Sequence, residues 1–227
     1  MQLLSSFAFV AHALLQNGLA DQELYRYVLG GDNTLLALSF VLNIALAGFT
    51  ILGIVYLGRN LMDPRTKLIA ITLMLISVVS ISSYTGLTST LTLSIVEMPS
   101  GHPAANVTTA GQDGVLMMWG RYLTWTFSTP FILIALGMIA GSNWIKILTA
   151  CAFTVAMCLT GLAATLTTAS LLLRWWWFVL STAFFFVIVY LILVDWTAEA
   201  QVTGTADLFW TLKILTVVGW FGYPILW

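Results

Sequence analysis

Charge is what this sequence has least of. Only 7% of its 227 residues are Asp, Glu, Lys or Arg, against 60% apolar residues. That ratio excludes the surface of an ordinary soluble domain and points to a membrane protein. Eight basic residues against nine acidic ones leave no basic face for nucleic acid. No Asp or Glu falls within a hydrophobic run, so the spans themselves offer no carboxylate pair for acid–base work. The two cysteines, Cys151 and Cys158, share one apolar segment. They belong to its packing and say nothing about redox compartment. His102 has no second His or Cys nearby, so a metal site is not expected.

What remains is long hydrophobic runs separated by short polar connections. Six are expected to cross a bilayer as helices: about 35–57, 68–93, 115–140, 144–172, 175–194 and 207–227. Residues 1–34 form an N-terminal segment before the bundle of 35–227. Its first part contains an apolar stretch, FAFVAHALL, with no basic flank and no clear cleavage site, which makes a tail the stronger reading and a cleaved leader the weaker. The following stretch, DQELYRYVL, is too short and too polar to span, and reads as a short helix on the membrane surface. Asp195 and Glu199 are expected to begin a polar linker reaching Gly204. The longest connection, 94–114, is long enough to be functional. Arg59, Arg65, Lys67, Lys146 and Lys213 fall on one side of the alternating spans, Arg26 and Arg174 on the other. Because cytoplasmic loops collect Lys and Arg, the N-terminus is expected outside.

One run carries an arginine. In WGRYLTWTFSTPFILIALGMIA, Arg121 is followed by Thr124 at i+3 and Ser128 at i+7, which places the three on one helical face. A guanidinium in a membrane segment costs about 2.5–3.5 kcal/mol on insertion scales, so it faces the protein interior and takes a partner. With no carboxylate in the spans, that partner lies elsewhere or is a diffusible anion. Pro130 should kink the same helix. Trp220, Tyr223 and Trp227 repeat at i, i+3 and i+7 and, with Trp125, form an aromatic stripe. Core packing and a slot for a flat apolar ligand are both open readings of such a stripe.

The pattern Arg-Tyr-x-x-Trp-x-x-Ser-Thr-Pro from Arg121 to Pro130 resembles the third helix of microbial rhodopsins, and Trp-x-x-Tyr-Pro-x-x-Trp from Trp220 to Trp227 resembles their sixth. Proton pumps of that superfamily carry acids where this chain has Thr124 and Ala135. The Thr-Ser-Ala set, with Glu97-Met98-Pro99-Ser100-Gly101-His102, is similar to the halorhodopsins, light-driven inward chloride pumps of haloarchaea. The resemblance covers nearly the whole chain from about Asp21.

It implies an all-α membrane protein: a seven-transmembrane-helix rhodopsin bundle, six helices of which are in this chain, forming a homotrimer in the lipid of an archaeal plasma membrane. It implies a light-driven ion transporter rather than an enzyme, with retinal as cofactor and chloride or another halide as bound substrate. By matching position, Arg121, Thr124 and Ser128 would hold the anion. Trp125, Thr129, Met157, Gly161, Phe178, Ser181, Trp220, Tyr223 and Trp227 would wall the retinal, and Thr216 would lie on the cytoplasmic release side. Thr154 stands where many relatives carry Asp, which should alter local hydrogen bonding more than transport. The family attaches retinal to a lysine of a seventh helix, expected beyond residue 227, since Lys67, Lys146 and Lys213 match no such motif. A retinal-based light sensor and a light-independent anion transporter are the competing readings.

Overall fold

The computed structural model describes residues 22–30 and 33–226, except for the side chains of 22, 23 and 223–226. A short helix α1 (Gln22–Leu29) precedes α2 (Thr34–Gly58) and α3 (Pro64–Thr88). The connection after α3 holds four short strands, β1 (Ser94–Val96), β2 (Thr108–Thr109), β3 (Gln112–Asp113) and β4 (Val115–Met117). Next come α4 (Gly120–Ala140), α5 (Trp144–Leu166), α6 (Leu171–Tyr190), a π-helical turn at Leu191–Asp195, α7 (Trp196–Thr203) and α8 (Ala206–Leu226). Among the described residues, five stretches are long and apolar enough to cross a membrane: α2, α3, α4, α5 and the continuous rod Leu171–Thr203. The chain is a multi-pass, all-α membrane bundle.

Local chemistry sets the helix ends. Asp63 caps α3, accepting from the Thr66 amide at 2.7 Å, with Pro64 in the first turn where its missing N–H costs nothing. The two hydrogen bonds from Thr66 hold the Asp63 carboxyl below its ordinary value. Gly141 closes α4 in the left-handed region at φ 80°, where a side chain would be strained and a Cβ would strike Thr203. Asn143 and Ser170 cap α5 and α6.

Each of α2 to α5 packs on the next in sequence, and α4 also touches α7 and α8. Consequently α4 is the central element: 56% of its apolar window is buried, against 11% for α2 and α3. Two apolar clusters close the bundle's ends. One gathers Leu133, Leu136, Ile147, Ile188, Ile192, Trp196 and Phe209, and the other Leu24, Val28, Phe40, Leu87 and Leu93.

Several boundaries differ from the sequence reading. The helix after Arg174 does not yield to a polar linker at Asp195. It continues through a π-helical turn to Thr203, with Arg174 inside its first turn rather than closing the previous span. Lys146 explains this, because its ammonium lies 2.7 Å from Glu199 and 3.5 Å from Asp195, while Trp196 and Ala200, each next to one of these acids, are buried. Two carboxylates therefore lie within a membrane-length helix, contrary to the count of spans without acid. The second helix stops at Thr88 rather than 93, and the third span begins as strand β4, paired antiparallel with β1, before α4 starts at Gly120. The fourth ends at Leu166 rather than 172. Finally, α1 is packed rather than merely laid on a surface: Leu24 is 4% and Val28 0% exposed. The FAFVAHALL stretch lies outside the described residues.

Candidate functional site: an aromatic cavity beside a buried arginine

A cavity opens between α4, α5, α6 and α8. It is lined by Tyr122, Trp125 and Thr129 from α4; Met157, Cys158 and Gly161 from α5; Phe178, Ser181, Thr182 and Phe185 from α6; and Gly219 and Trp220 from α8. Helical spacing puts them there. Trp125 and Thr129 are four residues apart, as are Met157 and Gly161, and Phe178, Ser181 and Phe185 follow at i, i+3 and i+7. Its walls are overwhelmingly apolar. Tyr122 meets Trp125 edge to face at 5.3 Å between centroids, and Phe185 meets Phe221 similarly at 5.0 Å. A few hydroxyls punctuate that surface. Ser181 donates to the Met157 carbonyl at 2.8 Å, and Thr129 to the Trp125 carbonyl at 2.6 Å. At Gly219 a Cβ would meet nothing within 4 Å, so this wall is open space.

Of the nine residues assigned to a ligand wall from sequence, Trp125, Thr129, Met157, Gly161, Phe178, Ser181 and Trp220 line this one cavity. The side chains of Tyr223 and Trp227 lie outside the described ones. Tyr122, Cys158, Thr182, Phe185 and Gly219 escaped the sequence reading. Tyr122 stands at i−3 from Trp125, Cys158 at i−3 from Gly161 and Phe185 at i+4 from Ser181, so the same periodicity could have found these three.

A second cavity shares Tyr122, Trp125 and Gly219 with the first and adds Arg121, Arg174, Thr165, Gly222 and Leu116 to Met118. Arg121 is half-buried, its guanidinium 5.6 Å from the Trp125 ring centroid, and its Nε is buried without a hydrogen-bond partner. Arg174 is 5% exposed and donates to the Thr165 carbonyl at 3.0 Å, while the Thr165 hydroxyl donates to that of Tyr122. His102 lies close enough to feel this charge. Burial first, and Arg174 second, hold its imidazole below the ordinary value, so it adds no further cation at neutral pH. Two guanidiniums thus face a cavity to which no described carboxylate contributes.

The remaining predicted anion ligands are placed differently. Thr124 is buried and donates to the Gly120 carbonyl at 2.9 Å, with the Ser83 hydroxyl of α3 against it. Ser128 is 5% exposed and makes no hydrogen bond among the described residues. Neither lines either cavity, so the structure does not bring them into one open pocket with Arg121. Thr216 is half-buried on α8, away from both. Among the described residues no three His, Cys, Asp or Glu gather as a metal site.

Residues 34–227 match the family profile described as bacteriorhodopsin-like protein. The chain is 55% identical over 217 residues to the halorhodopsin of Natronomonas pharaonis, covering 94% of this chain and 74% of that protein. The chain belongs to the bacteriorhodopsin-like family, on its halorhodopsin branch. To the halorhodopsin of Halobacterium halobium (strain mex) it is 58% identical, covering 81% of this chain and 89% of the relative. The solved structure of a halorhodopsin described as a light-driven chloride pump superposes with a TM-score of 0.80 at 47% identity, over 86% of this chain and 79% of that one. A bromide-bound halorhodopsin from Halobacterium salinarum matches equally, at 0.80 and 47%, over 86% and 78%. Likeness to a light-driven proton pump of Coccomyxa subellipsoidea, TM-score 0.73 at 22% identity over 84% and 80%, shows the shared fold alone. As in these halorhodopsins, the bundle transports ions and is not an enzyme.

Proposed function

We propose that this chain is a light-driven inward chloride pump working with retinal, oriented with its N-terminus outside in an archaeal plasma membrane. A homotrimer embedded in lipid belongs to the same reading. The observation that carries it is the buried face of α4 near Arg121: Thr124, Ser128 and Ala135 are all buried and none is an acid. A proton pump needs a carboxylate acceptor there. This face instead combines a cation with neutral hydroxyls, which suits an anion.

The first cavity fits retinal by its chemistry, being an apolar cavity with aromatic walls and scattered hydroxyls. Trp125, Thr129, Met157, Gly161, Phe178, Ser181 and Trp220 would hold it, with Tyr223 and Trp227 completing the wall. None of the three lysines lines this cavity, so attachment is assigned to none of them. When bound, retinal supplies light absorption and a cation whose orientation changes on isomerisation.

The chain's own residues do the rest. Arg121 sets a positive potential that draws the anion in, worth about 4 kcal/mol for unit charges 4 Å apart at an effective dielectric constant of about 20. The Ser128 hydroxyl, without a hydrogen-bond partner among the described residues, is the donor available to chloride. Thr124 has its proton committed to Gly120 and contributes through neutrality, since it leaves no group to accept a proton. Pro130 withholds one backbone donor in α4 and gives the helix a bend point beside this face. Thr216 would meet the anion on the release side. The clustering of Lys146 with Asp195 and Glu199, and the bond from Arg65 to the Met138 carbonyl, gather charge at one end of the bundle, which supports a cytoplasmic assignment for that end.

Cells or vesicles expressing the full-length protein with retinal test this directly. Illumination should drive passive proton uptake that a protonophore enhances and that replacing chloride by sulfate abolishes. Light-driven proton extrusion indifferent to chloride would contradict the proposal. In Thr124→Asp, chloride affinity should fall about tenfold or more, as a new buried carboxylate competes for the same positive field, and light should then move protons.

A further inference from the structure

The middle of the connection between α3 and α4 carries a motif that the transport reading does not use. Asn106-Val107-Thr108 has the form Asn-x-Thr with x other than proline, and no other asparagine of the chain heads an Asn-x-Ser or Asn-x-Thr triplet. Such a triplet accepts an N-linked sugar where it lies on an accessible loop outside the membrane. Its placement therefore decides what it can do.

Asn106, Val107 and Thr108 are all exposed, Val107 by 42%. The Asn106 amide makes no hydrogen bond among the described residues, so its nitrogen stands open to solvent. The residues that follow are held firmly. Ala110 at φ 51° and Gly111 at φ 78° turn β2 back onto β3, since tight two-residue hairpin turns need positive φ at both central positions. Thr109 is buried and donates to the Gly114 carbonyl at 2.7 Å, while the Gly114 amide donates to the Val107 carbonyl at 2.7 Å. Successive strand residues face opposite ways. Thr109 thus anchors the hairpin from within, and Thr108 presents its hydroxyl on the outer face, donating to Asp113 at 3.2 Å. No residue from Asn106 to Asp113 lines either cavity.

We propose that Asn106 is an N-glycosylation site carrying an oligosaccharide on the extracellular face. In the transfer, Asn106 Nδ2 bonds to the anomeric carbon of a lipid-phosphate-linked oligosaccharide and gives up one proton. The bond from that carbon to the phosphate oxygen breaks, and its electron pair leaves with the phosphate. Thr108 supplies the hydroxyl that marks the acceptor asparagine. The connection shares its side of the bundle with the N-terminus, so this assignment rests on the orientation proposed above. The sugar covers the outer face of the hairpin and leaves both cavities untouched.

Peptide mass spectrometry of the full-length protein purified from its native cells reads the site. The peptide containing Asn106 should carry a sugar mass increment that is lost in Asn106→Gln and in Thr108→Val, and kept in Thr108→Ser. Valine preserves the β-branched shape of the strand residue, so its loss of the increment is not a loss of fold. Light-driven chloride uptake in Asn106→Gln should stay within about twofold of the parent, as expected for an exposed position outside the site. An unmodified Asn106 in the parent, or an increment that survives Thr108→Val, would overturn the proposal. Orientation is read separately by labelling Ser100→Cys, at an exposed position of the same connection, with a membrane-impermeant maleimide. Labelling of intact cells with Asn106 unmodified would overturn the glycan and leave the orientation standing. Labelling only after lysis would overturn the orientation and the glycan with it.

Discussion

Around the C-terminal end of α4, charges meet their opposites or backbone acceptors. Lys146 sits between Asp195 and Glu199, the Arg65 guanidinium reaches the Met138 carbonyl, and Thr203 and Thr205 donate to the carbonyls of Ala140 and Ile139 at 3.1 and 2.8 Å. The last turn of α4 is thus capped by side chains from three other segments. Around the N-terminal end, Arg121 and Arg174 face a cavity without a described carboxylate, and Arg121 keeps a buried Nε without a partner. Burying a charge without compensation is costly. The first arrangement is what a bundle needs to hold together. The second is what it needs to attract an anion that comes and goes.

That contrast is broken most severely by Arg121→Gln. Loss of an interaction of about 4 kcal/mol should weaken chloride binding by more than about 100-fold, with little loss of thermal stability, because no described carboxylate loses its partner. Isothermal or spectroscopic chloride titration beside a melting curve separates the two effects. Lys146→Met should do the reverse. A half-exposed pair of this kind contributes little, so Tm should fall by a few degrees at most while chloride affinity stays unchanged. A large affinity loss in that variant would show that the two ends are not independent.

The smallest expected effect concerns Asp63, at the connection on the same side as Lys146. Its carboxyl is held below the ordinary 3.8 by Thr66, so its folded pKa lies under the unfolded one. Its contribution is present above pH 3.8 and lost as pH falls through the folded value. Thermal melts of the parent should therefore lose stability on acidification across that window more steeply than those of Asp63→Asn. Equal slopes would show that the cap carries no pH dependence.

Much of the slot was legible because a helix repeats its faces. Trp125 with Thr129, Met157 with Gly161, and Phe178 with Ser181 could be placed together from spacing and resemblance. The extension of the fifth rod to Thr203 was not, because hydropathy counts Asp195 and Glu199 as breaks and has no means of seeing that Lys146, some fifty residues earlier, neutralises them. For the same reason the Thr124 hydroxyl looked available. Its engagement depends on Gly120 one turn before it and on Ser83 from another helix. The short strands β1 and β4 of the 94–117 connection pair across about twenty residues, with too little alternation to announce themselves. Only Arg121 could be singled out from cost alone, since a cation in an apolar run demands an explanation wherever the rest of the chain lies.

The most direct test of an anion held near Arg121 is a visible absorption spectrum of the full-length protein with retinal, recorded in sulfate and titrated with chloride. The account predicts a pigment whose band shifts and saturates as chloride fills the site. A pigment whose spectrum ignores chloride at every concentration would contradict it.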